Sequence, residues 1–128
     1  MGETIKKKAL IVDDEPNIRR LVREILSKDY TVLEAQNGAE AVDMARSQKP
    51  DIILMDMMMP KMDGLTACAE IKANKATKAI PVVMLTAIGY DLNKKLAETV
   101  AGADGYITKP FSSQELLSTV GRLLPSKS

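Results

Sequence analysis

The chain predicts a doubly wound α/β domain on a five-stranded parallel sheet. Two observations carry that reading. Short apolar runs recur along the chain, separated by stretches of helical periodicity. Two of the runs also stop at acid, Ala9 to Val12 at Asp13-Asp14 and Ile52 to Met55 at Asp56. A brief run rich in Val, Ile and Leu reads as a parallel strand buried on both faces. Ligands of open α/β sheets bind outside the carboxyl ends of the strands, so Asp13, Asp14 and Asp56 are expected at one rim. Carboxylates gathered there repel one another unless a cation joins them. Oxygen donors of this kind predict a hard divalent ion, magnesium.

The elements follow in order. Lys8 to Val12 is the first strand. Pro16 opens the first helix, where its missing N–H costs little, and Ile18, Leu21, Val22, Ile25 and Leu26 form one apolar face. Arg19, Arg20, Arg23 and Glu24 occupy its other side. Thr31 to Glu34 is a short second strand. Asn37 with Glu40 marks the start of a second helix carrying Ala41, Val42 and Ala45 inward. Pro50 ends that unit, and Ile52 to Met55 is the third strand. Asp63-Gly64 begins a third helix with Leu65, Cys68 and Ile71. Pro81 precedes a fourth strand, Val82 to Leu85. Gly89 to Ala101 is a further helix, with Leu92, Leu96 and Val100 on one side, stopping at a left-handed Gly102. Gly105 to Ile107 is the fifth strand. Ser112 and Glu115 form a capping box before the stripe Leu116, Leu117, Val120, Leu123 and Leu124. Residues 1–124 make one domain, and 125–128 read as a disordered tail or linker stub.

Composition excludes several classes. A chain of 128 residues is one domain by length. Its formal net charge of +1 gives no basis for direct nucleic-acid binding. No apolar stretch approaches the roughly 20 residues of a membrane span, and no signal peptide is evident in Met1 to Lys8. A single cysteine, Cys68, fits a reducing, cytoplasmic setting and reads as a small core residue. The chain contains no histidine, so it has no Ser-His-Asp or Cys-His catalysis, and any phosphohistidine must belong to a partner.

Three further polar groups fall at strand ends. Leu85-Thr86-Ala87 places a hydroxyl, Thr108-Lys109-Pro110-Phe111 an ammonium, and Tyr106 stands three residues before that lysine. Together with the acid pair and the central aspartate, in this order, these groups resemble the receiver domain of two-component response regulators. The stretches IVDDEP, ILMDMMMPKMDG, VVMLTA and GADGYITKPF carry the likeness over almost the whole chain, and the plan is similar to the single-domain, chemotaxis-type receiver. The resemblance implies a (βα)5 flavodoxin-like receiver fold and assigns roles. Asp56 is the phosphoacceptor, a carboxylate nucleophile. Mg2+ is held by Asp14 directly, Asp13 through water, Asp56 and the backbone carbonyl of Met58. Lys109 and the metal neutralise the transferring phosphoryl group. Thr86 and Tyr106 form a two-state switch, and the Lys109-Pro110 peptide is cis.

The donor is then a sensor histidine kinase or histidine phosphotransfer protein, with Arg19, Arg20 and Arg23 as its docking charges. An output protein, which the sequence does not name, reads a face containing Lys94, Lys95, Glu98 and Tyr106, or the chain dimerises through that face on phosphorylation. The chain is not otherwise an enzyme: it catalyses only its own phosphorylation and dephosphorylation. Met58 and Ile88 stand two residues after the phosphoacceptor and the threonine. Neither can orient a water, which implies a long-lived phosphate.

Rival readings meet specific obstacles. Asp13-Asp14 could be a solvated helix-capping turn and Lys109 a surface charge, but that leaves the acids at the rim unexplained. Met57, Met58, Met59 and Met62 could bind a soft metal, although packing beside the site is the simpler role. A haloacid-dehalogenase-like hydrolase wants Asp-x-Asp and a cap, whereas the pair here is adjacent. A flavodoxin-like cofactor binder wants a Gly/Ser/Thr-rich loop where this chain has Asp-Asp-Glu-Pro.

Overall fold

The computed structural model describes residues 6–87 and 102–124. Each run expected to form a strand does so: β1 Lys7–Val12, β2 Tyr30–Ala35, β3 Ile52–Asp56, β4 Val82–Ala87 and β5 Gly105–Lys109. They form one parallel sheet in the order β2-β1-β3-β4-β5. Four described helices cover it: α1 Pro16–Leu26, α2 Gly38–Gln48, α3 Gly64–Ala73 and α4 Ser113–Leu123. The helix expected over Gly89 to Ala101 lies outside the described residues, with Ile88, Lys94, Lys95, Glu98 and the tail from Pro125.

Alternation along the strands sorts their side chains to two faces. Leu10, Val12, Ile53, Met55 and Met84 pack with Ala41, Ala45, Ala67, Cys68 and Ile71 of α2 and α3. Ala9, Ile11, Ile52, Leu54, Val83, Leu85 and Ile107 pack with Val22, Leu26, Leu116 and Val120 of α1 and α4. Burial on both faces is why β1, β3 and β4 read as continuous apolar runs. None of the described helices is long and apolar enough to cross a membrane.

The helix starts follow local chemistry. Asn37 Oδ1 accepts from the Glu40 N–H and Asp63 Oδ1 from the Thr66 N–H, and Ser112 with Glu115 forms the reciprocal capping box. Gly102 takes the left-handed conformation, with φ +79°. The apolar stripes are wider than the contacts they make. Leu21 is 41% exposed and Leu117 37% exposed rather than inward, because α1 and α4 seat on the sheet through Val22, Leu26, Leu116 and Val120. Leu21 instead lines a groove of about 290 Å³ with Ile18, Lys109, Pro110 and Phe111.

Candidate functional site

Strand order assembles the site. β1 and β3 are neighbours with Val12 beside Met55, so Asp13 and Asp56 follow side by side at the rim. β4 flanks β3 with Leu85 beside Asp56, and β5 flanks β4 with Thr108 beside Thr86. Carboxylate oxygens of Asp13, Asp14 and Asp56 lie within 4.8 Å of one another. Asp13 and Asp56 are buried and Asp14 is exposed, so the cluster opens to solvent on the Asp14 side.

A cation already stands among these acids. Lys109 Nζ donates to Asp13 Oδ2 at 3.1 Å and to Asp56 Oδ1 at 3.3 Å. The acids are therefore not three unrelieved anions, and Lys109 is not a surface charge. The Lys109-Pro110 peptide is cis. Asp13 Oδ1 accepts from the Glu15 N–H at 2.9 Å, so Asp13 closes a local turn. The N-cap of α1 is Glu15 and makes no side-chain cap, so neither aspartate caps that helix.

Burial, then the charge of Asp13, raises the pKa of Asp56 above the ordinary carboxylate value. The charge and hydrogen bond of Lys109 and the backbone N–H of Met58 oppose that rise. Burial pulls the Lys109 pKa down, but the hydrogen bond and charge of Asp13, followed by those of Asp56, outweigh it and hold the ammonium above the usual lysine value. Thr86 is buried at the end of β4, and its Oγ1 has no hydrogen-bond partner among the described residues. Leaving a buried hydroxyl unsatisfied costs about 1–3 kcal/mol. Tyr106 is 37% exposed on β5, and Met58 is 73% exposed beyond β3.

The donor set fits a hard cation. Three carboxylates converge, two of them buried. The methionines do not form a soft site: Met57 lies in the core, and Met59 and Met62 pack against it. Burial pushes the Cys68 thiol up to about 11, which removes the thiolate that redox chemistry requires.

The basic side of α1 is largely committed within the molecule. Arg19 and Arg23 both bind Glu34, at 2.9 and 2.7 Å, while Arg20 remains exposed. The trio expected to dock a kinase thus comprises one mostly buried side chain, Arg19, and two exposed ones, Arg20 and Arg23. The Arg23 hydrogen bond leads the causes that lower the Glu34 pKa, opposed by burial and reinforced by Arg19. A depressed carboxylate stabilises the fold fully above its unfolded pKa, and that contribution is lost as pH falls through the lower folded value. Glu34→Gln is therefore expected to melt below wild type at pH 7 and to converge on it in acid, as read by melting temperature against pH.

Sequence reasoning named Arg19 and Gly64 but missed what each touches at the site. Arg19 Nη1 donates to the Asp13 carbonyl at 2.7 Å, and Gly64 packs against the Asp56 carbonyl. Neither spacing nor composition pointed to either contact.

An acid cluster at the carboxyl rim of a β2-β1-β3-β4-β5 sheet, bridged by a lysine from the last strand, defines a receiver. The family model for the response regulator receiver domain matches residues 9–121, and the chain belongs to that family of two-component signalling domains. It is 44% identical over 125 residues to the transcriptional regulatory protein ResD of Bacillus subtilis, covering 97% of this chain and 50% of ResD. It is 42% identical over 119 residues to the chemotaxis protein CheY of Halobacterium salinarum, covering 92% of this chain and 97% of CheY. The chain spans about half the length of the transcriptional regulators it matches. Among solved structures it is similar to the receiver domain of sensor histidine kinase PA1611 from Pseudomonas aeruginosa, which has a magnesium ion coordinated in its active site cleft. That match has a TM-score of 0.87 and 31% identity, and covers 95% of this chain and 100% of the other. Chemotaxis protein CheY4 of Vibrio cholerae matches with a TM-score of 0.86 and 33% identity, over 94% and 100% of the two chains.

Proposed function

We propose that this receiver is a phosphorylation-dependent switch in which Asp56 takes a phosphoryl group from a phosphohistidine on a partner kinase or phosphotransfer protein. The donor N–P bond breaks as an Asp56 Oδ–P bond forms, and the departing imidazole takes a proton from solvent. The observation that carries this reading is Lys109 Nζ held 3.1 and 3.3 Å from Asp13 and Asp56 at the strand ends, with a buried Thr86 hydroxyl at the end of β4 that has no partner among the described residues. Asp13, Asp14, Asp56 and the Met58 carbonyl would hold Mg2+, which when bound supplies charge neutralisation for the incoming phosphoryl oxygens. Lys109 adds a fixed positive charge, and Thr86 donates to a phosphoryl oxygen.

Engagement of Thr86 biases Tyr106 from its exposed position toward burial, a local electrostatic event acting on a packing element with two states. An output protein reads the altered surface around β5, and phosphorylation-dependent self-association through that surface is the alternative readout. The chemistry is confined to the domain's own phosphorylation and dephosphorylation. Incubation with acetyl phosphate and Mg2+ is expected to add one hydroxylamine-labile phosphoryl group that maps to Asp56, and chelation of Mg2+ is expected to prevent it. Label on another residue, or uptake indifferent to Mg2+, refutes the reading.

The apolar pair Met58 and Ile88 implies slow hydrolysis of the aspartyl phosphate, because neither side chain can align a water. Met58→Asn combined with Ile88→Glu is expected to speed loss of label by roughly tenfold, a modest share of what positioned proton transfer supplies. Decay of phosphorylated protein in Mg2+ measures it, and an unchanged half-life refutes it.

A further inference from the structure

We propose that Arg19 is a positioning residue for the acid pair, fixing the Asp13-Asp14 peptide in the orientation that cation binding requires; this rests on the reading that Asp13 and Asp14 hold Mg2+. The guanidinium of Arg19 is mostly buried, with 13% of the side chain exposed, and it makes two directed contacts. Nε donates to Glu34 Oε1 at 2.9 Å, and Nη1 donates to the Asp13 carbonyl at 2.7 Å. A peptide unit is planar, so holding the Asp13 carbonyl sets the plane from which the Asp14 backbone departs. The Asp13 N–H donates to the Ala35 carbonyl at 3.1 Å, and its carboxylate is held by the Glu15 N–H and Lys109. Asp13 is thus pinned at its amide, its carbonyl and both carboxylate oxygens. Asp14 is exposed, and that peptide sets where its Cα stands.

Electrostatics explains why Glu34 belongs to the arrangement. A lone guanidinium beside the backbone of a metal ligand would oppose a second cation. Glu34 offsets that charge, and it is braced from the other side by Arg23, which donates to Glu34 Oε2 at 2.7 Å and to the Val32 carbonyl at 3.2 Å. The brace runs from β2 through Glu34 and Arg19 to the loop after β1. Lysine cannot replace Arg19 in it, because a single ammonium lacks the rigid fork that serves Glu34 and the Asp13 carbonyl together.

The test is Mg2+ titration of the unphosphorylated chain followed by amide chemical shifts, with thermal melts alongside. Arg19→Gln and Arg19→Lys are expected to weaken Mg2+ binding by about tenfold, as loss of an outer-shell partner typically does. Saturating Mg2+ should restore phosphoryl uptake in both. Arg23→Gln loosens Glu34 without touching Asp13, and it should lower the melting temperature while weakening Mg2+ binding clearly less than the Arg19 variants do. Arg19→Lys keeps the charge and the aliphatic stem, so it decides the matter if Arg19→Gln does not fold. Wild-type affinity in the Arg19 variants, or equal weakening in Arg23→Gln, overturns the proposal. Failure of the wild-type chain to bind Mg2+ refutes the metal reading instead.

Discussion

Asp56→Asn is expected to abolish phosphoryl uptake and at the same time to raise the melting temperature at neutral pH. An amide nitrogen is not a nucleophile toward phosphorus, so labelling should fall to background rather than merely slow. The stability effect follows from the direction of the Asp56 shift. Burial, then the charge of Asp13, raises the Asp56 pKa in the folded state. A carboxylate whose folded pKa lies above its unfolded value binds its proton more tightly when folded. Its ionised form therefore opposes folding above the folded pKa, and the penalty is relieved as pH falls through that value toward the unfolded one. Asparagine removes the charge, while Lys109 keeps its bond to Asp13. In magnesium-free buffer the variant should melt above wild type at pH 7, and the gap should close on acidification. Melting temperature against pH, with and without Mg2+, checks both limbs. A variant that melts below wild type at pH 7 would mean that the Lys109–Asp56 contact outweighs the cost of burying the second carboxylate.

How far the site was legible in the chain depends on what each residue answers to. Asp13, Asp56, Thr86 and Lys109 each fall where an apolar run ends, and their place at the rim follows from strand periodicity alone. Helical periodicity put Val22, Leu26, Leu116 and Val120 in the core, where they lie. Relations between distant elements were harder to read. Arg19 and Arg23 look like solvated charge on a helix, because nothing local shows that β2 runs alongside and presents Glu34 to both. Lys109 closes onto Asp13 from 96 residues away, and only the strand order, with β5 at the far edge, shows how near it comes. Leu21 shows the limit on the apolar side: a helical stripe reports which residues share a face but not where the sheet beneath it stops.

Gly64→Ala is expected to be the most damaging single methyl group in the described structure. Gly64 opens α3, and by sequence it reads only as part of the Asp63-Gly64 start of that helix. In the fold its Cα faces the end of β3. A Cβ there would collide with the Asp56 carbonyl oxygen, and would lie 2.8 Å from Met84 Cε and 2.9 Å from Met57 Cα. The methionine terminus can swing away, but the two backbone groups cannot move without shifting β3 or α3, since the Gly64 N–H is itself bonded to the Met57 carbonyl at 3.0 Å. Overpacking of a rigid core typically costs about 1–3 kcal/mol, and backbone obstruction places this case at the upper end or beyond it. The displaced atom is the carbonyl of the residue that carries the reactive carboxylate, so phosphoryl uptake should fall together with stability. Gly121→Ala supplies the contrast. Gly121 lies in α4 with nothing within 4 Å of a built Cβ. There the same substitution should stabilise by roughly 0.5–1 kcal/mol, through helix propensity and reduced freedom of the unfolded chain. Denaturant melts of the two variants should move in opposite directions from wild type. If Gly64→Ala melts with the wild-type chain, then β3 and α3 do not approach as closely as described, and the placement of Asp56 at the rim needs revision.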